Sequence, residues 1–252
     1  MSSIVMVHGA FCGGWAFDHF RKPFEKAGWR VTTPDLPGHA PDASRDAVYG
    51  LSMRDYAAEV ARVCAAQDEP PVLLGHSLGG LVALLAARHA PVRALVLFAP
   101  SAPWGVAGFS MEEAVTAFGV QMLGPFPTGA VDPDAEVMRR FSLDKSAPGA
   151  VRTVLARMRP ESAKALSETL NWWLDPFMTT GLGAGVRAPS LVLVGEQDRV
   201  HPPATVRQTA ARIGAEVRVL PGASHWPFLE PGWERVADEV LGWLGLQGRA
   251  AA

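Results

Sequence analysis

The sequence has few cysteines and no excess of charge of either sign. It contains two cysteines, Cys12 and Cys64, which excludes a disulfide-stapled scaffold and a four-thiolate zinc site. Lys and Arg number 23, Asp and Glu number 25, and the net charge is therefore −2. Without a basic excess, the chain lacks the charge that attracts nucleic acid or an anionic membrane, and we predict neither partner.

Targeting signals and long apolar runs are also lacking. The sequence begins Met-Ser-Ser, without the basic residues of a secretory signal, and its first apolar run stops at His8. Windows of eighteen residues without Asp, Glu, Lys or Arg are interrupted by Gly, Pro or Ser, which a membrane-spanning helix would place badly. We therefore expect a soluble, cytoplasmic protein.

Short aliphatic runs alternate with helical patterns along most of the chain. These runs are continuous in apolar residues, are flanked by Gly or Pro, and lie at 4–8, 30–33, 72–75, Ala94–Phe98, 190–194 and Glu216–Leu220. Such runs are typical of strands buried on both faces of a parallel sheet with helical crossovers. The alternation predicts an α/β fold with a doubly wound sheet. Ser52 with Asp55 predicts a capping box at the start of one crossover helix.

The stretch from 101 to 186 interrupts this alternation, because it carries helical patterns and no convincing strand. Ser110 with Glu113, and Asp132 with Pro133, are typical helix starts. Because ligands bind at the carboxyl edge of a parallel sheet, an insertion there favours a lid over extra core helices without a function. We predict a core domain formed by 1–100 and 187–252, with a helical cap (lid) insertion at 101–186.

The sequence Gly-His-Ser-Leu-Gly at 75–79 follows an apolar strand directly and precedes an apolar helix. In this context the Gly-x-Ser-x-Gly pattern predicts a nucleophile elbow with Ser77 at its tip. The turn is so tight that its flanking positions leave no room for a Cβ, which Gly75 and Gly79 satisfy. The alternative is a glycine turn that merely opens a helix.

A serine nucleophile needs a base, and the base needs an orienting acid. Two loops after later strands supply them, and we predict Asp198 as the acid and His225 as the base. Glu196 is the competing acid, and His201 is the competing base. For the oxyanion we predict the N–H groups of Leu78 and Ala10 as donors, with that of Phe11 as the alternative to Ala10.

Together these residues resemble the α/β-hydrolase-fold serine hydrolases along nearly the whole chain. The resemblance is carried by His8-Gly9, by the run Asp-Leu-Pro-Gly-His at 35–39, by 75–80, by 195–198 and by His225. It implies a mostly parallel sheet with helices on both faces and a helical cap. The chain begins at what is usually the family's third strand, so the resemblance implies six strands.

The run at 7–15 is similar to the branch of small esterases and hydroxynitrile lyases. The lyases typically carry Thr after the first-loop His and Lys after the catalytic His, whereas this chain has Gly9 and Trp226 at those positions. This departure favours ester hydrolysis. Dehalogenases and epoxide hydrolases of the same fold use Asp as the nucleophile, and Ser77 argues against both.

The predicted cap is rich in large apolar residues. We expect most of them to pack between cap and core and a minority to line an apolar substrate pocket. They are Trp104, Phe109, Phe118, Met122, Phe126, Trp172, Trp173 and Phe177. We predict Phe11, Trp104 and Trp226 as substrate-binding residues. We expect no cofactor and no metal, because metal-ligand clusters and phosphate loops are missing from the sequence. A homodimer is compatible with the sequence.

The function predicted from these residues is hydrolysis of small-molecule carboxylic esters through an acyl-enzyme on Ser77. Lactones and thioesters are close variants of the same substrate class. A cofactor-free lyase, a C–C hydrolase or an acyltransferase with the same triad is the alternative within the fold. A ligand receptor that kept the fold and lost turnover is the alternative outside enzymology.

Overall fold

The structure is a computed structural model, and it describes residues 2–107, 110–124, 127–183 and 185–250. Of Glu112 and of residues 248–250 only the backbone is described. Phe109 and Phe126, which were predicted to belong to the apolar cap, lie outside the described residues.

Six parallel strands form the central sheet. They are β1 (Ser3–Val7), β2 (Arg30–Thr32), β3 (Val72–His76), β4 (Ala94–Phe98), β7 (Ser190–Gly195) and β8 (Glu216–Leu220). Their order across the sheet is β2-β1-β3-β4-β7-β8, and every pair is parallel. The structure confirms the predicted α/β-hydrolase fold, because strand order, direction and crossover helices all agree with it.

Helices cover both faces of this sheet. They are α1 (Arg21–Lys26), α2 (Met53–Ala65), α3 (Leu78–Ala86), α8 (Pro203–Ile213) and α9 (Trp233–Ala250). Within the ranges given above, no helix is long and apolar enough to cross a membrane.

Alternation along the strands divides the core between the two faces. Leu73 and Leu95 pair across β3 and β4 and belong to the cluster that includes Val60 of α2. Their neighbours Leu74 and Val96 also pair, but they belong to the opposite cluster. Because both faces are buried, the strands read as continuous apolar runs in the sequence.

The helix starts follow local side-chain chemistry in two of three predicted cases. Ser52 and Asp55 form the predicted capping box of α2. Ser110 accepts the N–H of Glu113 at the start of the helix α4 (Met111–Gln121), as predicted. The prediction for Asp132 was wrong, because Asp134 accepts the N–H groups of the short helix α5 (Ala135–Val137).

The segment between β4 and β7 contains α4, α5 and two further helices, α6 (Pro148–Arg157) and α7 (Ala163–Leu170). It also contains a short antiparallel ribbon of β5 (Ala130–Val131) with β6 (Glu161–Ser162), although no strand was expected there. Each strand is two residues long, which is too short to show alternation in the sequence.

Several large apolar residues of this segment do not pack against the core as predicted. The exposed ones are Phe118, Met122, Trp173 and Phe177. The helix α4 alternates buried and exposed apolar positions, so its composition alone does not reveal which face meets the core.

Helix α3 passes unusually close to the end of β1. A Cβ built on Gly79 would lie 2.1 Å from the carbonyl oxygen of His8 and 2.5 Å from that of Val7. Neither oxygen belongs to a flexible side chain, so the strand and the helix would have to separate to admit a methyl group. This contact fixes the position of the helix whose first residue follows Ser77.

We predict that Gly79→Ala destabilises the protein by about 3 kcal/mol, as overpacking in a rigid site does. Gly242→Ala in α9 is the matched control, since a Cβ there meets nothing within 4 Å. It should stabilise by about 0.5–1 kcal/mol through helix propensity. Denaturant unfolding measures both changes, and equal effects of the two substitutions would contradict this account of α3.

Candidate active site

Ser77 occupies a strained turn between β3 and α3. Its φ of 53° and ψ of −124° lie in a region that L residues rarely adopt. A Cβ on Gly75 would lie 2.4 Å from the carbonyl oxygen of Gly79, so the steric reason for the Gly-x-Ser-x-Gly spacing is present. Such strain costs about 1–3 kcal/mol and persists only where surrounding contacts enforce it.

Hydrogen bonds on both sides enforce the turn. The N–H of Ser77 donates to the carbonyl of Phe98 at 3.0 Å. Its carbonyl accepts the N–H groups of Gly80 at 2.9 Å and of Ser101 at 3.0 Å. The elbow is therefore held by α3 and by the end of β4 and the residues that follow it.

Asp198 and His225 form a buried imidazole–carboxylate pair. The Nδ1 of His225 lies 3.0 Å from Oδ2 of Asp198, while Oδ1 accepts the N–H groups of Val200 at 2.8 Å and His201 at 2.9 Å. Burial raises the pKa of Asp198, but the charge and hydrogen bond of His225 outweigh it, and the net pKa lies below its ordinary value. The carboxylate therefore stays ionised and keeps the hydrogen of His225 on Nδ1.

Glu196, the competing acid, lies elsewhere. It is exposed, and its Oε2 accepts the N–H of Gly222 at 3.0 Å.

The residue that holds the His225 loop is Glu230, which sequence reasoning missed. Its carboxylate accepts the N–H groups of Ser224 at 2.8 Å and Trp226 at 3.0 Å, on either side of the histidine. Burial raises the pKa of Glu230 above its ordinary value.

The Oγ of Ser77 faces a second histidine. Nε2 of His201 lies 3.3 Å from this oxygen and 3.0 Å from Oγ of Ser101. Nδ1 of His201 lies 2.8 Å from Oε1 of Glu113, on α4. The rings of His201 and His225 meet edge to face with centroids 5.2 Å apart, so the imidazole that faces Ser77 contacts a second imidazole, and each is paired with a carboxylate.

The loop after β1 lies directly above the elbow. A Cβ on Gly9 would lie 3.2 Å from Cβ of Ser77. The next N–H along the loop belongs to Ala10, while that of Phe11 is directed to Oε2 of Glu161 at 3.4 Å. Among the described residues, no acceptor is bound by the N–H of Ala10 or by that of Leu78 at the first position of α3.

One cavity brings most of the predicted residues together. Its wall includes Ser77, Leu78, Ala10, Phe11, His225 and Trp226. Asp198 stands behind His225. The indole of Trp226 is buried, and its Nε1 donates to Oγ of Ser142 at 3.0 Å.

Trp104 does not line this cavity, contrary to the prediction. Its ring packs edge to face against Trp172 with centroids 5.3 Å apart. Its Nε1 donates to the carbonyl of Asp175 at 3.3 Å. The proximity of Trp104 to the end of β4 in sequence did not reveal that the side chain turns toward the 172–175 region.

Two buried histidines, His8 and His76, hold loop backbone in place. Nδ1 of His8 donates to the carbonyl of Gly9 at 2.9 Å, and its Nε2 accepts the N–H of Leu36 at 3.0 Å. Burial, followed by the charge of His39, lowers the pKa of His8 to about 3. Nε2 of His76 donates to the carbonyl of His225 at 2.9 Å, and burial lowers the pKa of His76 well below its usual range. Both rings therefore remain neutral.

A buried carboxylate that the sequence did not reveal supports the loop after β1. Glu161 of β6 accepts the hydroxyl of Tyr56 at 2.6 Å, and its other oxygen lies 3.2 Å from Nε2 of His39. That second oxygen also receives the N–H of Phe11. Burial alone would raise the pKa of Glu161 and lower that of His39, but their mutual attraction reverses both directions.

Metal ligation has no support in this region. Within the part of the chain that the structure describes, no three His, Cys, Asp or Glu side chains are grouped as ligands of a metal ion. Cys12 is buried, and burial together with the charge of Glu161 raises the pKa of its thiol, which disfavours a thiolate.

Known hydrolases resemble this chain along most of its length. A model of the alpha/beta hydrolase family matches residues 4–239. Pyrethroid hydrolase from Sphingobium wenxiniae is 29% identical over 247 residues, covering 95% of this chain and 86% of that protein. Pimeloyl-(acyl-carrier protein) methyl ester esterase from Neisseria meningitidis is 31% identical over 238 residues, covering 91% of this chain and 72% of that protein.

Solved structures share the fold. The methylesterase protein MES16 from Arabidopsis superposes with a TM-score of 0.73 at 17% identity, covering 98% of this chain and all of that chain. The six-stranded parallel sheet and the family match define the class as the alpha/beta hydrolases. The chain belongs to the alpha/beta hydrolase family, and it is a hydrolase of the esterase type.

The pairing of Glu161 with His39 predicts a pH-dependent stability. The lowered pKa of Glu161 stabilises the fold above its ordinary value of 4.5, and this stability is lost as pH falls through the folded-state pKa. The raised pKa of His39 stabilises the fold below its ordinary value of 6.5, and this stability is lost as pH rises through the folded-state pKa. The pair is therefore most stabilising between these two ordinary values.

We expect Glu161→Gln to lower the free energy of unfolding by about 3 kcal/mol at pH 5.5, because it breaks a buried pair. The difference from wild type should shrink toward both acidic and alkaline pH. Glu59→Gln, which breaks an exposed pair with Arg62, is the control and should change stability by less than about 1 kcal/mol. A pH-independent difference at Glu161 would count against the pairing.

Proposed function

We propose that the protein hydrolyses carboxylic esters through an acyl-enzyme on Ser77, with His225 as the general base and Asp198 as its orienting acid. The observation that carries this proposal is that the strained serine lines the same cavity as His225, whose imidazole is paired with the buried Asp198. A hydroxyl is a poor nucleophile at neutral pH, and only a nearby base makes it competent.

In the acylation step, Nε2 of His225 takes the hydrogen of Ser77 while Oγ attacks the ester carbon. The carbonyl oxygen becomes an oxyanion, and the N–H groups of Ala10 and Leu78 are the donors we assign to it. Collapse of the tetrahedral intermediate breaks the bond to the alcohol oxygen, which takes the proton from His225. Water then repeats the sequence on the acyl-enzyme and releases the acid.

The reaction requires the serine rotamer that faces His225. In this structure the hydroxyl faces His201 instead, at 3.3 Å. A serine Oγ changes position by rotation about a single bond between staggered rotamers, and such flips are fast compared with turnover. His225 is preferred as the base because its partner Asp198 is more deeply buried than Glu113 and is fixed by backbone N–H groups.

The cavity favours an ester with apolar parts. Apolar side chains that line it include Phe11, Met138, Leu166, Leu170, Val200 and Trp226. The similarity to a pyrethroid hydrolase and a methyl ester esterase supports carboxylic esters as the substrate class. Lactones and thioesters present the same electrophilic carbonyl and belong to the proposal as variants.

A fluorophosphonate probe tests the nucleophile. It should label wild type at Ser77 and leave folded Ser77→Ala unlabelled, because only an activated serine hydroxyl attacks the phosphorus. Folding of the variant is checked by its melting temperature. A folded wild type that remains unlabelled would favour the interpretation as a ligand receptor without turnover over the interpretation as an enzyme.

Substitutions at the triad should reduce kcat on p-nitrophenyl esters by at least about 10³-fold for Ser77→Ala and for His225→Ala. The double variant should be no worse than either single one, since the two residues act as a unit. Asp198→Asn should reduce kcat by the same factor as those two substitutions or by a smaller one. The matched Glu196→Gln should reduce kcat less than Asp198→Asn does. If Glu196→Gln were the more damaging of the two, the acid would be misassigned.

A further inference from the structure

A second imidazole–carboxylate pair touches the reacting serine and has no role in the reaction described above. Glu113 on α4 holds Nδ1 of His201 at 2.8 Å, and Nε2 of His201 lies 3.0 Å from Oγ of Ser101. The same Nε2 lies 3.3 Å from Oγ of Ser77. All of these residues line the cavity.

The hydrogen bonds fix which nitrogen carries the hydrogen when the ring of His201 is in its neutral form. The carboxylate of Glu113 can only accept, so Nδ1 carries the hydrogen and Nε2 offers a lone pair. Hydroxyl groups are the donors that face this lone pair. When Ser77 is acylated its Oγ loses its hydrogen, and it can no longer donate to the imidazole.

His201 and Ser101 are both buried, at 2% and 4% exposure, beside the apolar wall described above. Polar groups in such an apolar wall usually fix the orientation of a ligand. In this structure the hydroxyl of Ser101 is placed to donate to the lone pair on Nε2 of His201. A hydroxyl of a ligand can replace this contact, because it donates to Nε2 of His201 while its oxygen accepts the hydrogen of Ser101.

The proposed reaction indicates which part of the substrate faces this pair. Besides Oγ, the attacked carbon carries the oxyanion, the leaving oxygen and the acyl carbon. The oxyanion is assigned to Ala10 and Leu78, and the leaving oxygen must lie near His225 to receive its proton. The acyl carbon is the remaining group, and a substituent on it lies only a few bonds from Oγ.

We propose that His201, held by Glu113 and acting beside Ser101, is a specificity-determining residue that binds a hydroxyl on the carbon next to the ester carbonyl. The substrate class is therefore 2-hydroxy carboxylic esters. This inference rests on the proposed function, since it takes Ser77 as the nucleophile and His225 as the base. An anionic substituent is disfavoured at the same place, because it would face the carboxylate of Glu113.

The experiment compares kcat/KM for methyl 2-hydroxyhexanoate and methyl hexanoate, with each enantiomer of the hydroxy ester assayed separately. The ratio of kcat/KM for the hydroxy ester to kcat/KM for methyl hexanoate is measured in wild type and in each variant. The greater intrinsic reactivity of the hydroxy ester cancels when the ratio of a variant is compared with that of wild type. His201→Phe should reduce the ratio about fivefold to tenfold for at least one enantiomer, the worth of a buried hydrogen bond.

Two further variants keep the test decisive if His201→Phe folds poorly. Ser101→Ala should reduce the ratio by a smaller factor in the same enantiomer, because it removes one of the two partners. Thr116→Val is the matched control, since Thr116 places a different hydroxyl at the wall of the same cavity, and it should leave the ratio unchanged. His225→Ala should lower both constants alike and also leave the ratio unchanged.

The outcomes separate this inference from the proposed function. A wild type that hydrolyses neither ester and takes no fluorophosphonate label contradicts the proposed function. A wild type that hydrolyses esters, but whose ratio is the same in His201→Phe and Ser101→Ala, contradicts only the inference. An equal loss of kcat/KM on both esters in His201→Phe would indicate that His201 is the base. A preference for 2-hydroxyethyl hexanoate over propyl hexanoate would place the hydroxyl site on the alcohol side of the ester.

Discussion

The close approach of α3 to the end of β1 is the constraint on which the rest of the site depends. Gly79 leaves room for a carbonyl oxygen where any side chain would collide, and Gly75 does the same for the turn itself. Ser77 is thereby forced to positive φ and stands at the cavity wall. Phe11 and Ala99, on loops beside the elbow, also have positive φ. Strain is therefore concentrated where the loops after β1, β3 and β4 meet.

Glutamates of the segment between β4 and β7 connect it to the core at three places. Glu113 meets His201, Glu161 meets His39 and Tyr56, and Glu168 accepts the hydroxyl of Ser52. Carboxylates away from water are costly to desolvate and persist where partners compensate for that cost, so each of these contacts ties the segment to a defined place on the core. Through them, the segment that lines part of the cavity also sets the geometry of its polar groups.

Local signals in the sequence were sufficient for the sheet, the elbow and the capping box, because each depends on neighbouring residues. The pairing of Asp198 with His225 was also predictable, since both follow strands whose ends meet at one edge of the sheet. The contacts of Glu113 and Glu161 were not, because their partners lie 88 and 122 positions away and no periodicity links them. The prediction that Trp104 binds substrate was wrong for the same reason, because the orientation of its side chain depends on its contact with Trp172. The hydroxyl of Ser77 faces His201, which the sequence analysis treated as the competing base.

The most direct measurement is mass spectrometry of the enzyme quenched during turnover of a slow ester, followed by peptide mapping. The account predicts a mass increase equal to the acyl group on the peptide that contains Ser77, appearing before the steady state and disappearing when substrate is exhausted. Turnover with no adduct at Ser77, or with the acyl group on another residue, would contradict it.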